Sequence, residues 1–135
     1  MIDNILLVND NDTDNFISKT LLEKSNIAKK ITIKTSAKEA LDYLDELQKN
    51  SKPFPTIILL DLNMPLITGF EFLNFFSLYN KDVIKRCGIF ILSSSSDTAD
   101  IYKAKRLRYV QDYFIKPLTK DKIEKLVNYG ASVQI

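Results

Sequence analysis

Short apolar runs, separated by stretches of helical periodicity, set the possible folds of this chain more tightly than any other feature. Asn4–Val8 reads as a buried strand, and a helix opens after it at Asp12 or Thr13 with Phe16, Ile17, Thr20 and Leu21 on its inner face. Lys30–Thr35 alternates Ile31 and Ile33 with polar residues, the period of a strand with one less buried face. Ser36 and Glu39 form a capping-box signature ahead of Ala40, Leu41, Leu44 and Leu47 at helical spacing. Lys52–Pro55 breaks that helix, Thr56–Leu60 is a strand ending at Asp61, and a loop then leads to a helix carrying Phe70, Leu73 and Phe76. Gly88–Leu92 is a fourth strand, and Asp97 caps a helix running to about Leu107. Gln111–Ile115 and Thr119–Tyr129 complete the alternation. Helices of this length between apolar strands require right-handed crossovers and a sheet covered on both faces. The expected class is α/β: a doubly wound, five-stranded parallel sheet with five helices.

At 135 residues the chain makes one domain, expected over residues 1–130, with 131–135 as a short tail and no output domain. Its omissions narrow the chemistry. It has no histidine, which excludes a Ser-His-Asp triad, His-ligated zinc and a phosphohistidine of its own. The lone Cys87 excludes an internal disulfide and a Cys-cluster metal site. The three glycines, Gly69, Gly88 and Gly130, form no nucleotide-cradling loop. Apolar runs such as Ile57–Leu60 fall far short of the ~20 residues that span a bilayer, and Met1–Val8 lacks the pattern of a signal peptide. A cytoplasmic location is expected.

In such a sheet the ligand site lies beyond the carboxyl ends of the strands. The residues there are Asn9 and Asp10, Asp61, Ser93 and Ser94, and Lys116. Taken singly, each reads as a helix cap or a solvated side chain. Asp61 does not, because the loop Leu62–Thr68 gives it no helix to cap. Two carboxylates close together repel unless a cation sits between them, and without His or Cys ligands a hard, oxygen-ligated ion such as Mg²⁺ suits them. An aspartate between Mg²⁺ and a lysine is poised to accept a phosphoryl group, with the Ser93 hydroxyl donating to one of its oxygens.

Four segments carry a family resemblance: Ile5–Asp10, Leu59–Gly69, Ile91–Ser95 and Asp112–Leu118. Over residues 3–128 the chain resembles the receiver domain of two-component response regulators, of flavodoxin-like architecture. The resemblance implies that Asp61 is the phosphoacceptor, Lys116 the phosphate-binding lysine and Ser93 the switch hydroxyl, with Tyr113 the aromatic that moves with it. It implies Mg²⁺, or Mn²⁺ in its place, held by Asp10, Asp61 and the backbone carbonyl of Asn63. Gly69 matches the glycine at which the loop re-enters a helix, and Lys116-Pro117 a cis bond. Asn63 and Ser95, each two places beyond a site residue, are expected to tune the phosphoryl lifetime. The family has a second acid where Asn9 stands, which holds the ion through water; an amide can still accept from that water, but the pocket loses one negative charge, and weaker Mg²⁺ affinity is expected.

The expected function is a stand-alone signalling receiver, not a metabolic enzyme, which catalyses only its own phosphorylation and dephosphorylation. The donor is a sensor histidine kinase or a phosphotransfer protein. Residues 101–135 hold 8 Lys+Arg against 3 Asp+Glu, whereas residues 1–100 hold 11 against 14. The resemblance implies that the face built from the fourth helix, fifth strand and fifth helix carries output; here it would present some of Lys103, Lys105, Arg106, Tyr109, Lys122 and Lys125 to an acidic protein partner or to a second copy on phosphorylation. No helix-turn-helix follows, so neither DNA nor membrane is an expected partner. Two alternatives remain. One is a haloacid-dehalogenase-like phosphatase using Asp10, which leaves Asp61 unexplained; the other is a pseudo-receiver acting without phosphorylation. A calcium loop at Asp10–Asp14 fails for want of Gly and Glu at the required places, where Asn15 and Leu21 stand.

Overall fold

A computed structural model of the chain describes residues 1–133. The elements run β1 (Ile2–Val8), α1 (Asp12–Ser25), β2 (Ala28–Lys34), α2 (Ala37–Lys49), β3 (Ile57–Leu60), α3 (Gly69–Phe76), α4 (Lys81–Ile84), β4 (Gly88–Ser93), α5 (Thr98–Lys105), β5 (Val110–Ile115) and α6 (Lys120–Val133). All strand pairs are parallel and their order is β2-β1-β3-β4-β5. The doubly wound sheet is as expected, with a sixth helix added. That helix, α4, is a single turn whose cap Asn80 accepts from the Asp82 N–H.

Alternation along the strands divides the core in two. Leu6, Val8, Ile58, Leu60, Ile89 and Ile91 face Leu44 of α2, Phe72 and Phe76 of α3 and Ala104 of α5. Ile5, Leu7, Ile57, Leu59, Phe90 and Phe114 face Leu22 of α1 and Ile123 and Leu126 of α6. Each strand residue thus serves one layer or the other, as a sheet buried on both sides demands. Edge strand β2 is only half buried, consistent with its alternating sequence.

Two expectations need correction. The inner face of α1 is Asn15, Ser18 and Leu22, while Phe16 and Ile17 are 71% and 47% exposed. The helix phase is set at its start: Asn11, not Asp12 or Thr13, is the cap and accepts from the Asp14 N–H, and the Asn15 amide turns inward to donate to the Asn9 carbonyl at 2.8 Å. A polar side chain with a buried partner took the inward position that apolarity alone assigned to its neighbours. Helix α6 also continues past Tyr129 to Val133. Gly130 does not stop it; it lets the helix pass close to β1, where a Cβ would lie 2.6 Å from Ile2 Cγ1. Residues 131–133 of the expected tail are therefore helical, and 134–135 lie outside the described residues.

Candidate functional site

The neighbours of β1 lie on opposite sides of it, β2 on one and β3 on the other. The connections leave in opposite directions there, opening a crevice at the carboxyl ends of β1 and β3. Backbone pairing continues one residue past these strands. Asp61 N donates to Val8 O at 3.0 Å, Asn9 N to Lys34 O at 3.2 Å, and Lys116 N to Ser93 O at 2.8 Å. Asn9, Asp61 and Lys116 are thus anchored to the sheet, not carried on free loops.

Asp61 is only 5% exposed. Its Oδ1 accepts from the Asn63 N–H at 3.2 Å, and its Oδ2 faces Lys116 Nζ at 3.3 Å. Burial raises the carboxyl pKa above its ordinary value; the Asn63 N–H and the Lys116 charge hold it down in part, and Asp10 pushes it further up. Asp10 is exposed and close enough for Asp61 to feel its charge. The loop between them and α3 is closed by the capping box of Thr68 and Glu71 and by Gly69. Gly69 N donates to Leu62 O at 3.0 Å, and a Cβ there would lie 2.6 Å from both the Asp61 carbonyl oxygen and Leu62 Cα.

Lys116 lies before a cis bond to Pro117, as the resemblance implies. The Lys122 ammonium braces this turn by donating to the carbonyls of Ile115 and Pro117. Lys122 is therefore occupied within the fold. The same holds for Tyr109, whose hydroxyl donates to Leu73 O at 2.9 Å, and for Lys103, whose ammonium lies 4.2 Å from the Phe70 ring centre. Of the cationic groups expected on the face now formed by α5, β5 and α6, Lys105 and Lys125 flank Asp112 at 3.6 and 3.4 Å, and Arg106 lies over Tyr102.

Ser93 is fully buried, and its Oγ accepts from Ser95 N at 3.2 Å. Ser95 in turn donates its hydroxyl to Asp100 of α5 at 2.8 Å, and its carbonyl accepts from the Tyr113 hydroxyl at 2.9 Å. The expected switch pair, Ser93 and Tyr113, is therefore joined through Ser95.

Sequence reasoning missed one member of the site. Lys116 Nζ lies 2.7 Å from Asp14 Oδ2, nearer than to Asp61. That hydrogen bond, with the Lys116 charge and the Asn9 amide, holds the Asp14 pKa below its ordinary value against a smaller effect of burial. Burial pulls Lys116 down, but Asp14 and Asp61 together outweigh it and its pKa is raised. The phase of α1, which the sequence pattern did not reveal, places it: with Asn11 as cap and Asn15 inward, Asp14 is presented to the rim. Asn9 is also committed locally, since its Oδ1 accepts from Asn11 N at 3.1 Å.

On the side of Asp61 away from Asp14, the resemblance names oxygen ligands alone: the carboxylates of Asp10 and Asp61 and the Asn63 carbonyl. Among the described residues there is no cluster of three or more His, Cys, Asp or Glu side chains that would enclose an ion. This set fits a hard divalent cation that retains water and leaves room for a phosphoryl oxygen, as Mg²⁺ and Mn²⁺ do.

Known proteins carry the same arrangement of elements. The family model of the response regulator receiver domain matches residues 5–128. A two-component response regulator from Cytophaga hutchinsonii superposes with a TM-score of 0.90 at 33% identity, over 97% of this chain and 98% of that one. Response regulator Rcp1 from Synechocystis is 30% identical over 91% of this chain and 82% of its own length. The Mn²⁺-bound form of Rcp1 superposes with a TM-score of 0.70 at 28% identity over 93% of this chain and 88% of that one. A rice two-component response regulator is 25% identical over 92% of this chain, which spans about half (53%) of that protein.

Proposed function

The chain belongs to the response regulator receiver family, and on that premise we propose that Asp61 takes a phosphoryl group from a phosphohistidine of a sensor histidine kinase or phosphotransfer protein. The observation that carries this reading is the contact of a buried carboxylate with one lysine ammonium at the sheet rim, 3.3 Å apart. An Asp61 oxygen attacks phosphorus, the P–N bond breaks, and the imidazole leaves with the bonding pair and takes up a proton. The Asn63 N–H fixes the rotation of the carboxylate, so that one oxygen stays directed at Lys116. Lys116 then follows the negative charge onto the phosphoryl oxygens. Asp10, Asp61 and the Asn63 carbonyl would hold Mg²⁺ or Mn²⁺, which when bound would neutralise charge on those same oxygens.

Ser93 supplies the readout. Turning its hydroxyl toward a phosphoryl oxygen releases the Ser95 N–H, and Ser95 is bonded to both Asp100 and Tyr113. A local hydroxyl movement thereby biases the β4–α5 loop and the α5–β5–α6 face between two arrangements. A protein partner with an acidic patch, or a second copy of the chain, reads that face through Lys105, Arg106 and Lys125.

Incubation with a small phosphodonor and Mg²⁺, followed by intact mass measurement, tests the reading. One added phosphoryl group in the wild type and none in Asp61→Asn is the expected result. Addition that survives in Asp61→Asn, or none in either, overturns it. Turnover of a generic phosphate ester that depends on Asp10 and ignores Asp61 would point instead to the phosphatase reading.

A further inference from the structure

Asp14 has no part in this phosphoryl transfer, yet it holds the lysine that the transfer needs. Lys116 Nζ is 2.7 Å from Asp14 Oδ2 and 3.3 Å from Asp61 Oδ2, so the ammonium is shared and the closer partner is the carboxylate that accepts no phosphoryl group. Asp14 is not a floppy surface acid that happens to reach it. Its backbone N–H is held by the Asn11 cap at 2.9 Å, its carboxylate has the Asn9 amide for company, and the Asn9 backbone is pinned by the buried Asn15 at 2.8 Å.

We propose that Asp14 is a positioning residue, a resident counter-anion that draws Lys116 toward α1 and competes with the phosphoryl group for it. The inference rests on Asp61 being the acceptor. A phosphoryl group on Asp61 brings about two negative charges to a site where one carboxylate already claims the ammonium. Either Lys116 divides its protons between the two anions, or it leaves Asp14 with its charge facing the new one. Both outcomes weaken the phosphorylated state relative to a site without Asp14. Asn9 belongs to the same arrangement: an acid at position 9 would repel the Asp14 carboxylate, whereas the amide donates to it. In this chain the position beside Asp10 thus carries no charge, and the neighbouring acid lies on the lysine side of the pocket.

Beryllium fluoride, a phosphoryl mimic that binds the acceptor oxygen reversibly, isolates this effect from the rate of any donor. Its affinity is measured by ¹⁹F NMR at fixed Mg²⁺ on the full chain. Asp14→Asn should bind it about three- to tenfold more tightly than wild type, the scale of a partly exposed ion pair. Asp14→Ser should shift the same way. Asp14→Glu, which keeps the charge, should stay within about twofold of wild type, as should Asp12→Asn on the same turn. Asp61→Asn should not bind. Equal or weaker binding by both Asp14→Asn and Asp14→Ser, with Asp61→Asn silent, overturns the inference and leaves the acceptor reading standing. Equal tightening by Asp12→Asn, or by Asp14→Glu, overturns it too, since a general field or a merely structural role then suffices. Wild type binding no better than Asp61→Asn overturns the acceptor reading and this inference together.

Discussion

At the end of β3 the Asp61 carboxylate is almost wholly removed from water, and its pKa is raised from the ordinary 3.8 chiefly by that burial. A folded-state carboxyl with a raised pKa binds its proton more tightly than the unfolded chain does. The native state is therefore penalised as pH rises through the interval between the ordinary and the raised value, and the penalty is fully present above it. Asp61→Asn should stabilise the protein at neutral pH, an advantage that disappears in acid below the ordinary carboxylate pKa. Thermal unfolding of both proteins across that range checks it; an asparagine variant less stable at neutral pH would mean the Lys116 contact outweighs burial. Asn9 makes a second prediction at this scale. Replacing its amide with a carboxylate adds charge near Asp10 and Asp61, so Asn9→Asp should bind Mg²⁺ more tightly in a direct titration. Equal or weaker binding would show that the amide is no handicap.

At the scale of elements, the site depends on turns held by a few specific contacts. Gly69 brings α3 back against the residue that follows β3, leaving no space for a methyl group beside the Asp61 carbonyl. Gly69→Ala should cost about 1–3 kcal/mol of stability and reduce phosphorylation of Asp61 by displacing the loop that carries Asn63. Chemical denaturation with a parallel phosphodonor assay measures both, and an alanine variant matching wild type in each would refute the steric argument. The β4–α5 loop is held differently, with Ser95 bridging Ser93, Asp100 and Tyr113. Ser95→Ala removes the hydroxyl bond to Asp100 and the one accepted from the Asp97 N–H, but keeps the backbone bonds to Ser93 and Tyr113. It should leave the extent of phosphorylation intact and loosen the start of α5, visible as faster amide exchange there; unchanged exchange would remove Ser95 Oγ from the path.

Charge segregation is the relevant property of the whole molecule. The last 35 residues are strongly basic in a chain of net charge +2, and the fold gathers Lys105 at the end of α5, Arg106 just past it and Lys125 on α6. Other cations of the same segment are consumed internally, Lys116 by the site and Lys122 by the turn after β5. Reversing Lys105 and Arg106 together to glutamate should weaken binding to an acidic partner and reduce its salt dependence, while Asp61 remains phosphorylatable. Partner binding indifferent to both changes would exclude this face as the electrostatic contact.

The order of apolar runs and their polar endings determined the parallel sheet and the positions of Asp10, Asp61, Ser93 and Lys116, because a buried strand needs a continuous apolar run and whatever follows it must reach the rim. Tertiary structure alone decided the phase of α1, since Asn15 turned inward only where a backbone carbonyl across the turn required a donor. That rotation left Phe16 in water and set Asp14 against Lys116, a contact spanning 102 positions of sequence that no local pattern announces. The close passage of α6 over Ile2 at Gly130 was decided likewise, by the distance between two packed elements, where the sequence offered only a residue that commonly ends helices.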